Sequence, residues 1–264
     1  MKLYLYQIDA FTDKVFGGNP ACVVPLHKWL EDETLLKIAQ ENAVSETAFF
    51  VQNDNFFHLR WFTPDIEMDL CGHATLAAAY VIKKYLKYPK DVISFNSLSG
   101  KLDVLVNGEN FTLDFPSREP INSKLPLPIK DSLSIQPQKI LKSRDYFLVY
   151  DNQKEIEDIK INRSIIDQIN LDPGGVIITA KGDDCDFVSR WFAPQSSIFE
   201  DPVTGSAHCS LIPYWSKRLN KKKMEAIQLS ARKGKLFCED KGERVLISGK
   251  ATTYFIGNIW IDQD

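Results

Sequence analysis

Arg60-Trp61-Phe62-Thr63-Pro64 leads on to Cys71-Gly72-His73-Ala74, and Arg190-Trp191-Phe192-Ala193-Pro194 leads on to Asp201-Pro202-Val203-Thr204-Gly205-Ser206-Ala207-His208. Tryptophan is rare, five in 264 residues, so a pentapeptide repeated around two of them marks a duplication. Each copy runs from a β-prone segment through a loop into an apolar helical stretch. Placing Arg60 on Arg190 without a gap sets Cys71 opposite Asp201. The economical reading is two similar α/β units, each apolar helix covered by its own short-stranded sheet.

Working outward from the first copy, Ala74 to Tyr85 is a nearly all-apolar helix and His58 to Phe62 a strand. Upstream, Glu31 to Ala43 has apolar residues at helical spacing and an acidic first turn, and delivers Asn42-Ala43-Val44-Ser45-Glu46-Thr47 into the strand Ala48 to Val51. Lys2 to Phe11 alternates as a strand, and Phe16-Gly17-Gly18-Asn19-Pro20 turns the chain before Ala21 to Val24. Downstream, Val92 to Phe95, Lys101 to Val106 and Phe111 to Phe115 are short strands, the last two joined by the hairpin dipeptide Asn107-Gly108. The prolines between Pro116 and Pro137 mark the connection between halves.

Around the second copy, strands are expected at Tyr146 to Tyr150, Val176 to Thr179 and Asp186 to Phe192, with a helix near Arg163 to Ile169. Ser206 to Arg218 is the second apolar helix, followed by strands at Ala226 to Ser230, Lys235 to Glu239, Arg244 to Ser248 and Thr252 to Ile261. The expected halves are residues 1–116 and 117–264, with the last strand free to return to the first half.

A net charge of -3 gives no reason to expect nucleic acid or an anionic membrane as partner. The apolar run Leu76 to Ile82 is too short to span a bilayer. The five cysteines are scattered, without a CxxC pair, and are read as free thiols of a reducing, cytoplasmic compartment. His27, His58, His73 and His208 fall at no metal-binding spacing, and no dinucleotide or phosphate-loop signature is present, so neither metal nor cofactor is expected.

The candidate chemistry gathers at the helix starts. Helix N-termini carry unpaired donors and partial positive charge, Gly72 and Gly205 allow close backbone approach, and Thr204 or Ser206 can cap or donate. Such a site suits a carboxylate. Glu46, at a helix-to-strand junction, is either a proton-exchanging carboxylate or a capping glutamate. His73 either handles a proton or caps its helix; Asp201 either orients a polar group of a ligand or belongs to an Asp-Pro turn. Cys71 reads as a buried thiol or a low-pKa nucleophile. Asn19 holds a turn or meets the ligand, while Arg60 and Arg190 are read as structural.

At these residues the chain resembles the phenazine-biosynthesis isomerase family, the PhzF-like proteins, within the diaminopimelate epimerase-like fold. The matching stretches are Asp9-Ala10-Phe11-Thr12, Phe16-Gly17-Gly18-Asn19-Pro20-Ala21, Asn42 to Phe49, Arg60 to Pro64, Gly72-His73-Ala74-Thr75 and Glu200 to Ala207. The resemblance implies an α+β molecule of two pseudo-symmetric domains, each a curved, mostly antiparallel sheet around a central helix. It further implies a cofactor-independent site between them and a homodimer. By motif, Glu46 corresponds to the proton-shuttling acid/base and His73 and Asp201 to its polar partners. Ser45, Gly72, Gly205 and Ser206 correspond to substrate contacts, with Asn19 beside them. The best-understood reaction in the family isomerises 2,3-dihydro-3-hydroxyanthranilate. The related epimerases oppose two thiols, whereas here only Cys71 is present.

The reading is therefore an isomerase that moves an activated proton between carbons of a small carboxylic acid. An epimerase or racemase would need a second acid/base facing Glu46, with Cys71 or His73 the candidates. A non-catalytic metabolite-binding protein would need the ligand site without Glu46 reactivity.

Overall fold

The computed structural model describes residues 1–171 and 174–262. By its internal contacts the chain forms two units, one made of Met1–Asp114 with the segment from Ile247 onward, the other of Phe115–Leu246. The last strand, which the sequence leaves free to return to the first half, hydrogen-bonds to the first strand and belongs to the first unit.

In chain order the first nine strands are β1 (Lys2–Ala10), β2 (Asn19–Leu26), β3 (Glu46–Gln52), β4 (Phe57–Phe62), β5 (Glu67–Met68), β6 (Val92–Ser97), β7 (Gly100–Asn107), β8 (Asn110–Pro116) and β9 (Ile121–Asn122). Helix α1 (Asp32–Asn42) lies between β2 and β3, and α2 (Gly72–Lys84) between β5 and β6. After α3 (Leu127–Ser132) come β10 (Lys139–Lys142), β11 (Tyr146–Val149), α4 (Gln153–Asp158), α5 (Arg163–Ile166), β12 (Val176–Lys181), β13 (Phe187–Phe192) and β14 (Glu200–Asp201). The chain ends with α6 (His208–Leu219), β15 (Lys223–Gln228), β16 (Gly234–Asp240), β17 (Arg244–Gly249) and β18 (Ala251–Trp260).

The pairing repeats. In the first set β1–β2, β3–β4, β4–β5 and β6–β7 are antiparallel, while β2–β3 and β4–β6 are parallel across helices. In the second set β10–β11, β12–β13, β13–β14 and β15–β16 are antiparallel, while β11–β12 and β13–β15 are parallel. The flanking strands follow the same rule: β9 pairs antiparallel with β10, and β18 with β1. Each repeat thus sends its ninth strand to the sheet of the other repeat's first strand. This is why the units are not simple halves of the sequence.

Each unit is built around an apolar helix. In α2 every residue from Gly72 through Ile82 is buried, and the helix packs on β1, β2 and β3. A helix buried all round needs small or apolar side chains on every face, which the run Ala74 to Ile82 provides. The opposite face of the first unit's sheet is covered by α1, where Leu35, Ile38 and Ala39 pack with Leu5, Val24 and Phe49.

In α6 the indole of Trp215 stacks on Phe187 and donates to Thr179 Oγ1 at 2.9 Å. Pro213 sits inside α6 and supplies no N–H for the carbonyl four residues back. That carbonyl, of Cys209, accepts instead from the Arg118 N–H at 2.8 Å. The proline is therefore accommodated without an orphaned buried acceptor.

The duplicated arginines occupy matching positions. Arg60 Nε donates to Glu67 Oε1 at 2.7 Å, and Arg190 Nε to Glu200 Oε1 at 2.7 Å. Phe62 lies opposite Glu67 in β4–β5, and Phe192 opposite Glu200 in β13–β14. These registers make Met68 the counterpart of Asp201 and Cys71 the counterpart of Thr204. The ungapped match of Cys71 with Asp201 is corrected by this geometry: the loop before Glu200 is three residues longer than the one before Glu67.

Candidate active site

The first group of candidate residues is assembled wholly within the first unit. Glu46 is the first residue of β3, reached through Ala43, whose left-handed φ of 50° ends α1. The Asn42 amide reaches over it to donate to Thr47 Oγ1 at 3.1 Å. Chain direction is thereby pinned on both sides of Glu46, and Ser45 beside it is buried. His73 is the second residue of α2, with Gly72 before it, and its side chain is only 3% exposed.

The two side chains meet. Glu46 Oε2 stands 3.0 Å from His73 Nε2, within ion-pair reach. Their alignment is not that of a hydrogen bond, and both atoms are buried without a hydrogen-bond partner among the described residues. At the other edge of the ring, the Asn19 amide nitrogen lies 3.1 Å and Cys71 Sγ 3.5 Å from Nδ1. In this orientation Asn19 donates to a neutral His73 carrying its proton on Nε2. A second proton on Nδ1 requires the amide turned over so that its oxygen accepts.

Asn19 is placed by a tight turn. Gly18 has φ of 60°, and a Cβ there would lie 2.0 Å from the Ala10 carbonyl oxygen, so only glycine fits. The buried Asp9 carboxylate accepts from the Phe16 N–H at 2.9 Å and holds the same turn. Asp9 was not among the expected site residues, although it opens one of the stretches that carry the family resemblance.

Burial works against a charged His73, yet the Cys71 sulfur and the Glu46 carboxylate outweigh it and raise its pKa well above the ordinary value. Cys71 is itself pushed up to about 11, by burial first and by the Glu46 charge second. At neutral pH the thiol is uncharged, so the charge that retains a proton on His73 is that of Glu46. Cys71 is thus no low-pKa nucleophile in this structure. Its carbonyl accepts from Thr75 Oγ1 at 2.5 Å, tightening the first turn of α2.

Glu46, Cys71 and His73 each offer one donor atom, all within 4.8 Å of one another. The close approaches of Cys71 and Glu46 are, however, to opposite nitrogens of the imidazole. A single ion takes one ring nitrogen, so the trio does not fit a metal as it stands.

The second group lies in the other unit. Asp201 ends β14, and its Oδ2 accepts from Thr204 Oγ1 at 2.5 Å. Gln228, fully buried at the end of β15, accepts from the Thr204 N–H at 2.8 Å and donates to the Asp201 carbonyl at 2.8 Å. Ser230 donates to the Pro202 carbonyl at 2.8 Å. Gly205 is buried and Ser206 half-buried in the turn that opens into α6. Thr204, read from the sequence as a cap or donor, and Gln228, which was not anticipated, hold the Asp201 loop; Gln228 is a polar side chain at an inward position of a strand, a mismatch readable only once the register is known.

His208 in this turn is the counterpart of Thr75. Its Nδ1 lies 2.9 Å from the Thr204 carbonyl, as Thr75 Oγ1 meets the Cys71 carbonyl, and burial lowers its pKa to about 4. It is a neutral, structural histidine.

An α+β duplication with a carboxylate and an imidazole paired at the start of a central helix is the architecture of an isomerase- and epimerase-like family of proteins. Residues 8–257 match the phenazine biosynthesis-like (PhzC-PhzF) family, and the chain belongs to it. An uncharacterized isomerase of Pseudomonas aeruginosa is 47% identical over 259 residues, covering 98% of this chain and 99% of that protein. The human phenazine biosynthesis-like domain-containing protein is 37% identical over 290 residues, covering 98% of this chain and 99% of that protein. A crystal structure of a PhzF-family phenazine biosynthesis protein from Enterococcus faecalis matches with a TM-score of 0.94 at 43% identity, covering 99% and 100%. A probable proline racemase from Agrobacterium radiobacter shares the fold at 9% identity, with a TM-score of 0.65 over 98% and 93%. Among the described residues no helix is long and apolar enough to cross a membrane.

Proposed function

We propose that this chain is a cofactor-independent isomerase in which Glu46 takes an activated carbon-bound proton from a small carboxylic acid and returns it at another carbon. The observation that carries this reading is the pair formed by Glu46 Oε2 and His73 Nε2, 3.0 Å apart, buried, and unsatisfied by any hydrogen bond among the described residues. A carboxylate and an imidazole paired this closely out of solvent are the arrangement of an acid/base couple.

In the proposed step the Glu46 carboxylate removes the proton while His73, oriented by Asn19, donates to the developing negative charge or steadies Glu46. The carboxylate cannot deprotonate an unactivated carbon, so the substrate must delocalise the charge. Asp201, Gly205 and Ser206 are proposed to orient the substrate's polar groups, and Ser45 and Gly72 to line its path. Epimerisation has weaker support, since the Cys71 thiol is neutral and serves the same imidazole rather than acting as an independent base.

The proposed partners are a small carboxylate-bearing substrate and a second copy of the chain. Support for the second comes from Tyr4, Ile256 and Trp260, which share one face of the β1–β18 pair and are 61%, 47% and 73% exposed.

Solvent-deuterium incorporation tests the reaction. The native protein and Glu46→Gln are incubated in D2O with dihydro-hydroxyanthranilate and related small carboxylic acids. Label that appears only with Glu46 present supports the reading, and its position separates an allylic shift from epimerisation. Equal exchange by both proteins refutes the role of Glu46.

A further inference from the structure

The loops that open into α2 and α6 are tied down in the same way, and one further tie is present only beside Asp201. With Arg60 matched to Arg190, the β4–β6 and β13–β15 registers make Asn96 the counterpart of Ile227. Ser97 then matches Gln228, Ser99 matches Ser230 and Asp69 matches Pro202. The serine tie is common to both units: Ser99 Oγ donates to the Asp69 carbonyl at 2.7 Å, and Ser230 Oγ to the Pro202 carbonyl at 2.8 Å. At the other position the units differ. Ser97 Oγ donates to the Gly100 carbonyl at 3.0 Å within its own hairpin turn, whereas the fully buried Gln228 reaches the loop that carries Asp201. A tie made in both units serves the fold, and one made only next to Asp201 asks for a role connected with that carboxylate.

The polarity of the Gln228 amide is set by backbone groups that cannot reverse. Its Oε1 accepts from the Thr204 N–H at 2.8 Å, and its Nε2 donates to the Asp201 carbonyl at 2.8 Å. Turning the amide over would set oxygen against oxygen and N–H against N–H. Nε2 carries a second proton, and Thr204 Oγ1 accepts it with the nitrogen 3.2 Å away. A hydroxyl that accepts on that side has its single proton for its other partner, Asp201 Oδ2, at 2.5 Å. The chain of bonds therefore runs one way, from the Gln228 amide through the Thr204 hydroxyl to the Asp201 carboxylate.

We propose that Gln228 is a positioning residue for Asp201, acting through Thr204: it fixes Oδ2 as a hydrogen-bond acceptor, and so sets Asp201 to accept from a polar group of the substrate rather than to donate to it. A hydrogen bond given to the charged form of a carboxyl favours that form, and a charge-assisted bond is about twice as strong as a neutral one. In the first unit neither end of this chain exists, since Met68 stands in the place of Asp201 and Cys71 in that of Thr204. The inference rests on the reading of Asp201 as a group that orients substrate. Its test needs no substrate, so failure of the isomerase reading and failure of this chain of bonds are told apart.

A pH titration of the full-length chain, labelled with carbon-13 at the aspartate carboxyl carbons and followed by NMR, tests it, the Asp201 signal being identified by its loss in Asp201→Asn. Gln228→Met, which removes the amide and keeps the length of the side chain, should raise the Asp201 midpoint by about one pH unit, the scale of one lost charge-assisted hydrogen bond. Thr204→Val should raise it as far, and Thr204→Ser, which restores the hydroxyl, should return it to the native value. Ser230→Ala cuts the serine tie alone and should leave the midpoint in place. In the native chain the Gln228 side-chain amide protons should shift with the Asp201 midpoint, a reading that needs no variant to fold. The proposal is overturned if Thr204→Val or a natively folded Gln228→Met titrates as the native chain does, if Ser230→Ala moves the midpoint as far as Gln228→Met, or if the Gln228 amide protons do not follow the Asp201 titration.

Discussion

At the scale of single residues, the pairing of Glu46 with His73 makes stability and exchange depend on pH in a definite direction. The His73 pKa is raised in the folded chain, so its contribution to stability is fully present below the ordinary histidine value and is lost as pH rises through the raised one. Unfolding in denaturant between pH 6 and pH 10 should show stability falling with pH. Glu46→Gln, which removes the charge holding that proton, should flatten the fall. The same variant should keep its Tm within a few degrees while solvent exchange drops about 10²- to 10⁴-fold, the range of a lost acid/base group. A Glu46→Gln protein as pH-dependent as the native one would show that the carboxylate does not hold the His73 proton.

At the scale of elements, the starts of the two central helices solve one problem with different side chains, Thr75 in α2 and His208 in α6 each bonding to the carbonyl four residues back. Because His208 is fully buried with a pKa lowered to about 4, the folded chain keeps it neutral while the unfolded chain protonates near 6.5. Stability should therefore fall as pH drops from about 6.5 to about 4, by about 3 kcal/mol from this group alone. His208→Gln should remove that part of the acid loss, whatever its effect at neutral pH. Gly175→Ala, by contrast, drives a methyl into Trp191 and the Phe192 carbonyl and should cost about 1–3 kcal/mol at every pH, measured by denaturant unfolding. Both helices, the longer alternating strands and the Asn107-Gly108 hairpin were legible because their periodicity is strong. The two-residue strands β5, β9 and β14 were not, since two residues have no period, and α4 has only Ile156 as a buried anchor. Glu46, His73 and Asn19 were readable from motif. Their mutual distances were not, since Asn19 and His73 are 54 residues apart and meet only through the parallel pairing of β2 with β3 and the packing of α2 on β2.

At the scale of the molecule, the exchange of β9 and β18 between the sheets of the two repeats makes the C-terminal strand integral to the first unit. Its sequence, Thr252-Thr253-Tyr254-Phe255-Ile256, is strongly β-prone, yet no residue of β18 is fully buried. The register skips at Tyr254, a bulge whose ring packs edge-on against Phe16 at 5.7 Å. Exposed aromatic and branched side chains along a ten-residue strand are a hazard for a lone chain and an asset for a self-association surface. If a second copy covers this face, light scattering should give about twice the 30.1 kDa chain mass, and Ile256→Glu should halve it by setting like charges against each other across a twofold contact. The substitution faces outward, so the variant should keep the native circular dichroism and its Glu46-dependent exchange. A native chain that scatters as 30.1 kDa at all concentrations would remove the homodimer, and a dimer untouched by Ile256→Glu would move its interface away from β18.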